Sequence, residues 1–172
     1  MNQEQLRRVR EALQQARAQL ADSGVRDEAL GRLVPAGRRW MLPRRAHFVS
    51  LGRVWRVGIL LISTSDDRLH LLGVTTRAVQ PGHHRNTAVA IEERREVQLL
   101  AWKGPFVEGD VVNYDTIEID LAHDAIDTEA NPLLVRDGVV MVQWDRGQSG
   151  AAPRPFADYL REQVALRIDP TS

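Results

Sequence analysis

Two segments rich in aliphatic and β-branched residues constrain the fold of this chain more than any other feature. Residues 53–63 and 68–79 consist largely of Val, Ile, Leu and Thr, and the turn-forming sequence SDDR at 65–68 separates them. This pattern predicts a β-hairpin. Because both faces of the first arm are partly apolar, we expect that arm to be covered on both sides, or on one side with an interface on the other.

Four segments have helical signatures. Residues 2–22 carry a narrow apolar stripe that Gly24 can terminate, which predicts an N-terminal amphipathic helix. A shorter helix is predicted over 27–33. Two more are predicted over 87–103, which a Gly-Pro pair ends, and over 155–168, where apolar residues recur at every fourth position.

The remaining strand signals complete the predicted fold. Residues 111–119 predict one strand, and 133–144 predict a second hairpin whose Asp-Gly pair suits a type I′ turn. Two hairpins and one strand, packed by helices, make an α+β fold with a mostly antiparallel sheet. We expect a helix over 1–24 and a single domain over 25–172. The predicted core comprises Val57, Ile59, Leu61, Leu71, Val74, Ile91, Leu99, Val140, Val142, Phe156 and Leu160.

The composition excludes several classes of protein. The net charge of zero gives the whole chain no attraction to polyanions or anionic membranes, so any such attraction is local. The absence of cysteine excludes disulfides, thiolate nucleophiles and thiolate metal sites. The first residues lack a signal-peptide pattern, and the longest apolar run, VGILLI at 57–62, is far too short to span a bilayer. We therefore expect a cytoplasmic protein without membrane contact.

The stretch 38–58 is strongly basic, with six arginines, one histidine, three large aromatic residues and no acid. Arginine with interleaved aromatics is typical of single-stranded nucleic-acid binding, in which guanidinium groups contact phosphates and rings stack on bases. On this hypothesis the contact residues are Arg44, Arg45, Arg53 and Arg56. The alternative is that the aromatic side chains belong to the core. The neutral chain makes nucleic acid the less favoured partner.

Basic and acidic residues are segregated along the chain. Between Ala29 and Ser65 there are seven arginines and no acid, whereas between Gly104 and Val135 there are eight acids and no lysine or arginine. If the fold brings these two blocks together, they neutralise each other. If it does not, the molecule has one basic and one acidic surface, which suits a protein partner or a homo-oligomer.

The segment QPGHHRNTA at 80–88 is the favoured binding-site candidate. A Pro-Gly pair turns the chain there, and the start of the predicted helix offers unpaired N–H groups and the positive end of its dipole to an anion. The candidate anion-binding residues are Arg77, His83, His84, Arg85, Asn86 and Thr87. Protonation of the histidines at lower pH strengthens such binding. The alternative is a solvated loop with an ordinary helix cap.

One acidic segment has the spacing of metal ligands. Asp120, His123, Asp124 and Asp127 are spaced so that a short helix would align them on one side, and carboxylates with imidazole at this spacing can hold a divalent metal. A solvated polar face is preferred, because no second ligand cluster accompanies them, and neither metal nor cofactor is predicted. Catalytic motifs are lacking as well, since the sequence contains no P-loop, HExxH, GxGxxG or nucleophile elbow.

Several segments together carry a resemblance to a known family. They are GRVWRVGILLI, the hairpin LLVRDGVVMVQW and the helix PFADYLREQV that follows it. With them, residues 45–168 resemble a family of short actinobacterial proteins that is sometimes named glutaminase, and the name implies hydrolysis of amide bonds. Glutaminases use a cysteine or a serine–lysine pair. This chain has no cysteine, and Leu100 rather than serine stands three residues before Lys103.

These observations favour a non-enzymatic binding or assembly module that uses segregated charged surfaces and an anion site. The expected partners are an anionic small molecule, a protein or a second copy of the chain. An amide hydrolase and a single-stranded nucleic-acid binder are the alternatives, so whether the chain is an enzyme stays open at this point.

Overall fold

The structure is a computed structural model that describes residues 1–39, 42–82, 89–121, 131–145 and 151–170. The helices are α1 (Gln3–Ser23), α2 (Val89–Trp102) and α3 (Phe156–Ile168). The strands are β1 (Glu28–Val34), β2 (Gly37–Arg39), β3 (Leu42–Arg44), β4 (His47–Val57), β5 (Leu60–Ser63), β6 (Leu69–Leu71), β7 (Val74–Arg77), β8 (Val111–Tyr114), β9 (Ile117–Glu118), β10 (Leu133–Arg136), β11 (Val139–Val142) and β12 (Arg154–Pro155). The predicted α+β class with an N-terminal helix is confirmed.

One mixed sheet has the strand order β7-β8-β1-β4-β5-β6-β9. Strands β1 and β8 are parallel, whereas β1–β4, β5–β6, β6–β9 and β7–β8 are antiparallel. Strands β2 and β3 form a separate hairpin, and β10, β11 and β12 form a small antiparallel sheet. The sheet structure is therefore mostly antiparallel, as predicted.

The chain divides into two compact units. Unit 1 comprises Met1–Asp27, Trp55–Leu71 and Ile117–Ser172, and unit 2 comprises Glu28–Val54 and Leu72–Thr116. Strand β4 contributes its first part to unit 2 and its last three residues to unit 1. The predicted single domain over residues 25–172 stays a prediction.

Helix α1 of unit 1 forms where its sequence supplies signals at both ends. The Asn2 side chain accepts a hydrogen bond from the backbone N–H of Gln5 at 2.8 Å, and the Gln5 side chain accepts one from the N–H of Asn2 at 2.8 Å, which is a reciprocal capping box. Gly24 ends the helix with a φ of 68°, a value that glycine adopts without strain. One stripe of the helix is buried, consisting of Val9, Leu13, Ala16 and Leu20.

The core of unit 1 is mainly aliphatic. Helices α1 and α3 pack together over the buried side chains of β5, β6 and the small sheet. Trp55, at the end of β4, joins this core, and its indole N–H donates to the carbonyl of Val25 at 3.0 Å. The buried members contributed by α3 are Phe156, Tyr159, Leu160 and Val164.

A hydrogen bond joins the turn between β4 and β5 to helix α3 within unit 1. Gly58 begins this two-residue turn with a φ of 61°, and the next backbone N–H, of Ile59, donates to the Tyr159 hydroxyl at 2.9 Å. A β-carbon at Gly58 would lie 2.0 Å from that hydroxyl oxygen. Both the backbone conformation and the close approach therefore require glycine.

The core of unit 2 is built around three aromatic rings. Phe48 packs edge-to-face against Phe106 and Tyr114, with ring centroids 5.6 and 5.5 Å apart. A β-carbon at Gly31 would lie 2.7 Å from the Phe106 ring, so the strand passes the ring at a distance that only glycine permits. Helix α2 packs against β7, and its Ala101 is fully buried in this core.

The helix predicted over 27–33 is wrong, because this segment forms strand β1. It pairs with β4 on one side and with β8 on the other, so its backbone groups are hydrogen-bonded between strands. Glu28, Ala29 and Leu30 are buried there. This tertiary pairing outweighs a local sequence that has weak strand propensity.

The predicted strands are present but more divided than expected. The segment 53–63 turns at Gly58 into β4 and β5, and 68–79 is split into β6 and β7. The segment 111–119 is interrupted at Asp115, whose φ is 50°, into β8 and β9. The hairpin over 133–144 is confirmed, and both residues of its Asp-Gly turn have positive φ, as a type I′ turn requires.

The predicted core is confirmed for six residues and wrong for two. Val57, Leu61, Val140, Val142, Phe156 and Leu160 are buried, and Ile59, Leu71 and Leu99 are half-buried. Val74 is 47% exposed, because it begins the short strand β7 at the end of the sheet order. Ile91 is 46% exposed, because it lies in the first turns of α2, where each described side chain up to Arg94 is exposed.

Candidate anion-binding groove

Unit 2 contains an open groove with a volume of about 620 Å³, here called the unit 2 groove. One wall is a face of α2 with the loop that follows it, and the other is the chain that leads into β4. The lining residues are Ala36, Arg45, Ala46, His47, Phe48, Glu96, Leu99, Leu100, Lys103, Gly104 and Pro105. Sites for small molecules have volumes of about 300–1,000 Å³, so the groove is large enough to hold one.

The helical wall is one continuous face of α2. Glu96, Leu99, Leu100 and Lys103 are spaced at i, i+3, i+4 and i+7, which places them in one row along the helix. The helix then ends: the N–H of Lys103 donates to the carbonyl of Leu99 at 3.0 Å, and Gly104 and Pro105 stop further helical bonding. The row therefore has an acidic end, an apolar middle and a basic end.

The opposite wall follows from strand pairing. The hairpin β2–β3 returns the chain, with Gly37 opposite Arg44. After a connection of two residues β4 begins at His47, which pairs with Val34 of β1. Arg45 thus lies in a two-residue connection between two paired strands, and its backbone is held at both ends.

The floor of the unit 2 groove is apolar and rigid. Phe48 is 4% exposed and is fixed by its contacts with the other two rings of the core. A β-carbon at Gly104 would lie 3.4 Å from the β-carbon of Phe48, so the end of α2 packs directly against this ring. Burial raises the pKa of the neighbouring Tyr114, with Asp115 adding to the effect, so its hydroxyl stays neutral.

The polar side chains of the groove carry an excess of positive charge. Arg45 and Lys103 are exposed and His47 is half-buried, against the single carboxylate of Glu96. None of these four side chains forms an ion pair with a residue that the structure describes. No described residue therefore neutralises these charges by an ion pair, and a ligand can contact them.

The hydrogen bond of His47 determines which ring nitrogen a ligand can meet. Its Nδ1 lies 3.1 Å from the backbone carbonyl oxygen of Arg45. A carbonyl oxygen can only accept, so Nδ1 carries the hydrogen and Nε2 is the nitrogen left for a ligand. When the ring is neutral Nε2 accepts, and when the ring is protonated Nε2 donates.

The four arginines of the nucleic-acid hypothesis have different environments. Arg44 and Arg45 are exposed, and only Arg45 lines the groove. Arg56 is half-buried in β4. The guanidinium of Arg53 donates to the carboxylate of Asp110 at 2.7 Å, and the Asp110 side chain is 3% exposed. Arg53 therefore has a structural contact.

The same ion pair shows that the basic and acidic blocks meet at one point inside unit 2. Asp110 belongs to the acidic block and also accepts from the backbone N–H of Val107 at 3.2 Å. Phe48 and Trp55, two of the three aromatic residues between positions 38 and 58, are core residues. The third, Trp40, lies outside the described residues, so base stacking at this stretch stays a prediction.

Most of the predicted anion site at residues 77–87 lies outside the described residues. Arg77 is exposed in β7, whereas His83, His84, Arg85, Asn86 and Thr87 are not described. Nearby, the guanidinium of Arg95 donates to the backbone carbonyl of Gly82, which ties α2 to the chain that precedes it. The anion site at this segment stays a prediction.

The structure adds no ligand set to the metal hypothesis. Asp120 is exposed, and His123, Asp124 and Asp127 lie outside the described residues. Within the described ranges, no three His, Asp or Glu side chains come close enough to hold a metal ion.

The two units have opposite net charges. By sequence, unit 2 has 11 basic and 7 acidic residues, a net charge of +4, and unit 1 has 12 basic and 16 acidic residues, a net charge of −4. The unit 2 groove thus lies in the basic unit. A positive local potential attracts anionic ligands even though the whole chain is neutral.

Sequence reasoning missed His47, Glu96 and Lys103 as functional candidates. One signal was present, because a Glu and a Lys seven residues apart flank two leucines on one helical face. The second wall comes from residues 36–48, about fifty residues earlier in the chain, and no local pattern connects the two walls.

The fold and groove together define an α+β protein with a cation-lined, apolar-floored groove in its basic unit. Comparisons with protein-family models, with curated proteins and with solved structures gave no match for this chain. The resemblance to the actinobacterial family therefore stays a prediction. Among the described helices, none combines the length and the apolar character that a membrane crossing requires.

Proposed function

We propose that this chain is a binding module whose unit 2 groove holds a small amphipathic anion. One observation carries the proposal: Arg45, His47 and Lys103 line a groove whose floor and middle are the apolar side chains of Phe48 and two leucines. Removing apolar ligand surface from water contributes about 25 cal/mol per Å², and cations hold the charged end of the ligand.

The cations favour a carboxylate as the charged group. The planar guanidinium of Arg45 can donate two parallel hydrogen bonds to a carboxylate, and Lys103 adds a point charge. Both side chains are exposed and screened by solvent, so we expect about 1 kcal/mol from each. Glu96 lies on the same helical face and repels a ligand with several negative charges.

The lining of the groove supports binding rather than hydrolysis. Among the described residues that line it, none is a Ser, Thr or Cys that could act as a nucleophile beside His47 or Lys103. The amide-hydrolase alternative therefore receives no support from the unit 2 groove.

Calorimetric titration with octanoate, an amphipathic carboxylate, tests the proposal. We expect the wild-type chain to bind it, and Arg45→Ala and Lys103→Ala each to weaken binding by about fivefold, which corresponds to about 1 kcal/mol. Arg136→Ala, which removes an exposed arginine of unit 1, is the matched control and is expected to bind as the wild type does.

Two outcomes would overturn the proposal: no binding of octanoate by the wild type, or equal binding by all four proteins. The variant Arg77→Ala separates the groove from the site predicted at residues 77–87. If Arg77→Ala weakens binding and Arg45→Ala does not, the anion binds at that segment and the groove assignment is wrong.

A second candidate function, self-association, is favoured by the net charges of +4 and −4 on the two units. Contacts between exposed opposite charges are screened over about 8 Å at 0.15 M salt. Light scattering at 20 mM and 500 mM salt checks this candidate. A mass that stays at the monomer value at both salt concentrations excludes it.

A further inference from the structure

We infer that the unit 2 groove selects a short, apolar, zwitterionic peptide that it holds by both ends. This inference rests on the function proposed above and names the ligand class. The ligand carboxylate pairs with Lys103 at one end of the α2 row, the amino group pairs with Glu96 at the other end, and the apolar side chains pack on the leucines between them.

The length of the ligand follows from the row of side chains on α2. Glu96 and Lys103 are seven residues apart, and a rise of 1.5 Å per residue separates their α-carbons by about 10 Å along the helix axis. An extended peptide covers about 3.3–3.6 Å per residue. Three residues therefore span the distance between the acidic and basic ends of the row.

The middle of the row determines the character of the side chains. Leu99 and Leu100 are half-buried, and Phe48 lies on the floor beside them. Apolar ligand side chains gain free energy by covering this surface, whereas polar ones would be desolvated without a partner.

The carboxylate of Glu96 distinguishes an amino acid derivative from a simple anion. It is exposed and forms no ion pair with a residue that the structure describes. A dianionic phosphate would be repelled by it, whereas a peptide ammonium group would pair with it. The arrangement thus suits a ligand that carries one charge of each sign.

The helix dipole opposes this orientation, but only weakly. The C-terminal end of α2 carries a partial charge equivalent to about −0.5, which disfavours a ligand carboxylate there. Lys103 supplies a full positive charge at the same end, and Arg45 adds a second positive charge to the lining of the groove. The cations outweigh the dipole, and the dipole in turn favours Lys103 at this position.

Calorimetry with tri-leucine and its blocked forms tests the inference. We expect tri-leucine to bind at least tenfold more tightly than its C-terminal amide, and N-acetylation to weaken binding about fivefold. In Glu96→Gln the N-acetyl and free forms should bind equally, because the partner of the amino group is gone. In the matched control Glu93→Gln, whose side chain is exposed on α2 but does not line the groove, acetylation should still weaken binding about fivefold.

Three results would overturn the inference. The amide could bind as tightly as the free acid, acetylation could weaken binding equally in Glu96→Gln and the wild type, or a triglycyl-tri-leucine could bind as tightly as tri-leucine. The last result would identify the C-terminus of a longer chain as the ligand. If octanoate binds and tri-leucine does not, the proposed function stands and the peptide inference fails; if neither binds, both fail.

Discussion

The two units differ in what their side chains are used for. The described core of unit 1 is a large cluster of mainly aliphatic residues from α1, α3 and several strands. That of unit 2 is smaller and has three rings at its centre, and the unit also contains the partly buried pair Arg53–Asp110 and the buried pair Glu28–Asn113. In unit 2, Leu99 stays half-buried and the groove cations stay outside the core. Unit 1 thus has the larger, mainly aliphatic core, and unit 2 has the groove in which we propose that a ligand binds.

The largest expected effect separates core leucines from groove leucines. Leu20 is fully buried in unit 1, so Leu20→Ala should lower the free energy of unfolding by about 2–5 kcal/mol. Leu99 is half-buried, so Leu99→Ala should lower it by less than about 1.5 kcal/mol while weakening octanoate binding. Urea unfolding measures both. Equal destabilisation by the two substitutions would contradict the difference between the units.

The turn at Gly58 offers a second test of how tightly unit 1 is packed. Gly58→Ala should destabilise the protein by about 3 kcal/mol, because a positive φ is strained and the new methyl group meets the Tyr159 hydroxyl. Thermal unfolding should show a smaller loss when the same substitution is made in Tyr159→Phe, which lacks that oxygen. Gly24→Ala, with a positive φ but no atom within 4 Å, is the control and should cost only about 1 kcal/mol.

The polar pair of unit 2 gives an intermediate effect. Asp110→Asn should lower the free energy of unfolding by about 2 kcal/mol, because the charge that faces Arg53 is lost in a buried position. The side chain of Arg53 is 34% exposed, which keeps the loss below that of a fully buried pair. Asp66→Asn breaks an exposed pair with Arg68 in unit 1 and should cost less than about 1 kcal/mol. If urea unfolding gives a similar loss of free energy for both variants, the burial of Asp110 does not strengthen its ion pair with Arg53.

The smallest expected effect is a pH dependence that arises in unit 1. Burial lowers the pKa of His70 from the ordinary 6.5; the carboxylates of Glu118 and Asp66 partly oppose this shift, and the positive charge of Arg68 adds to it. The folded protein therefore binds fewer protons at this site than the unfolded chain does. The contribution of His70 to the free energy of unfolding should be fully present above pH 6.5 and should decrease as the pH falls below that value. His70→Leu should remove this part of the slope between pH 7.5 and 5, and an unchanged slope in His70→Leu would contradict the assignment.

Local sequence signals predicted the elements that depend on local structure. Helix α1 has its cap, its stripe and its terminal glycine within 24 residues, and the hairpin over 133–144 has its Asp-Gly turn. Strand β1 was missed because its strand character comes from pairing with β4 and β8, which are distant in sequence. Long-range pairing decides strand structure more than local propensity does.

The unit 2 groove could not be predicted for the same reason. Its walls come from residues 36–48 and 96–105, and its floor depends on rings from three separate segments. Arg45 and Arg53 were both identified as candidates from the basic stretch in which they lie. The structure distinguishes them, because Arg53 forms an ion pair with Asp110, which is 57 positions away in the sequence. The segregation of charge could be predicted from the sequence. Which arginines are accessible to a ligand could not.

An amide chemical-shift map of the whole chain at saturating octanoate tests the central claim most directly. Unit 1 has a competing apolar cleft of about 190 Å³, lined by residues that include Val139, Val140 and Phe156. We predict that the largest changes occur at residues 45–48 and 96–105 and that residues 138–140 and 155–157 keep their positions. Changes confined to the unit 1 cleft, or spread evenly over both units, would contradict the assignment of binding to unit 2.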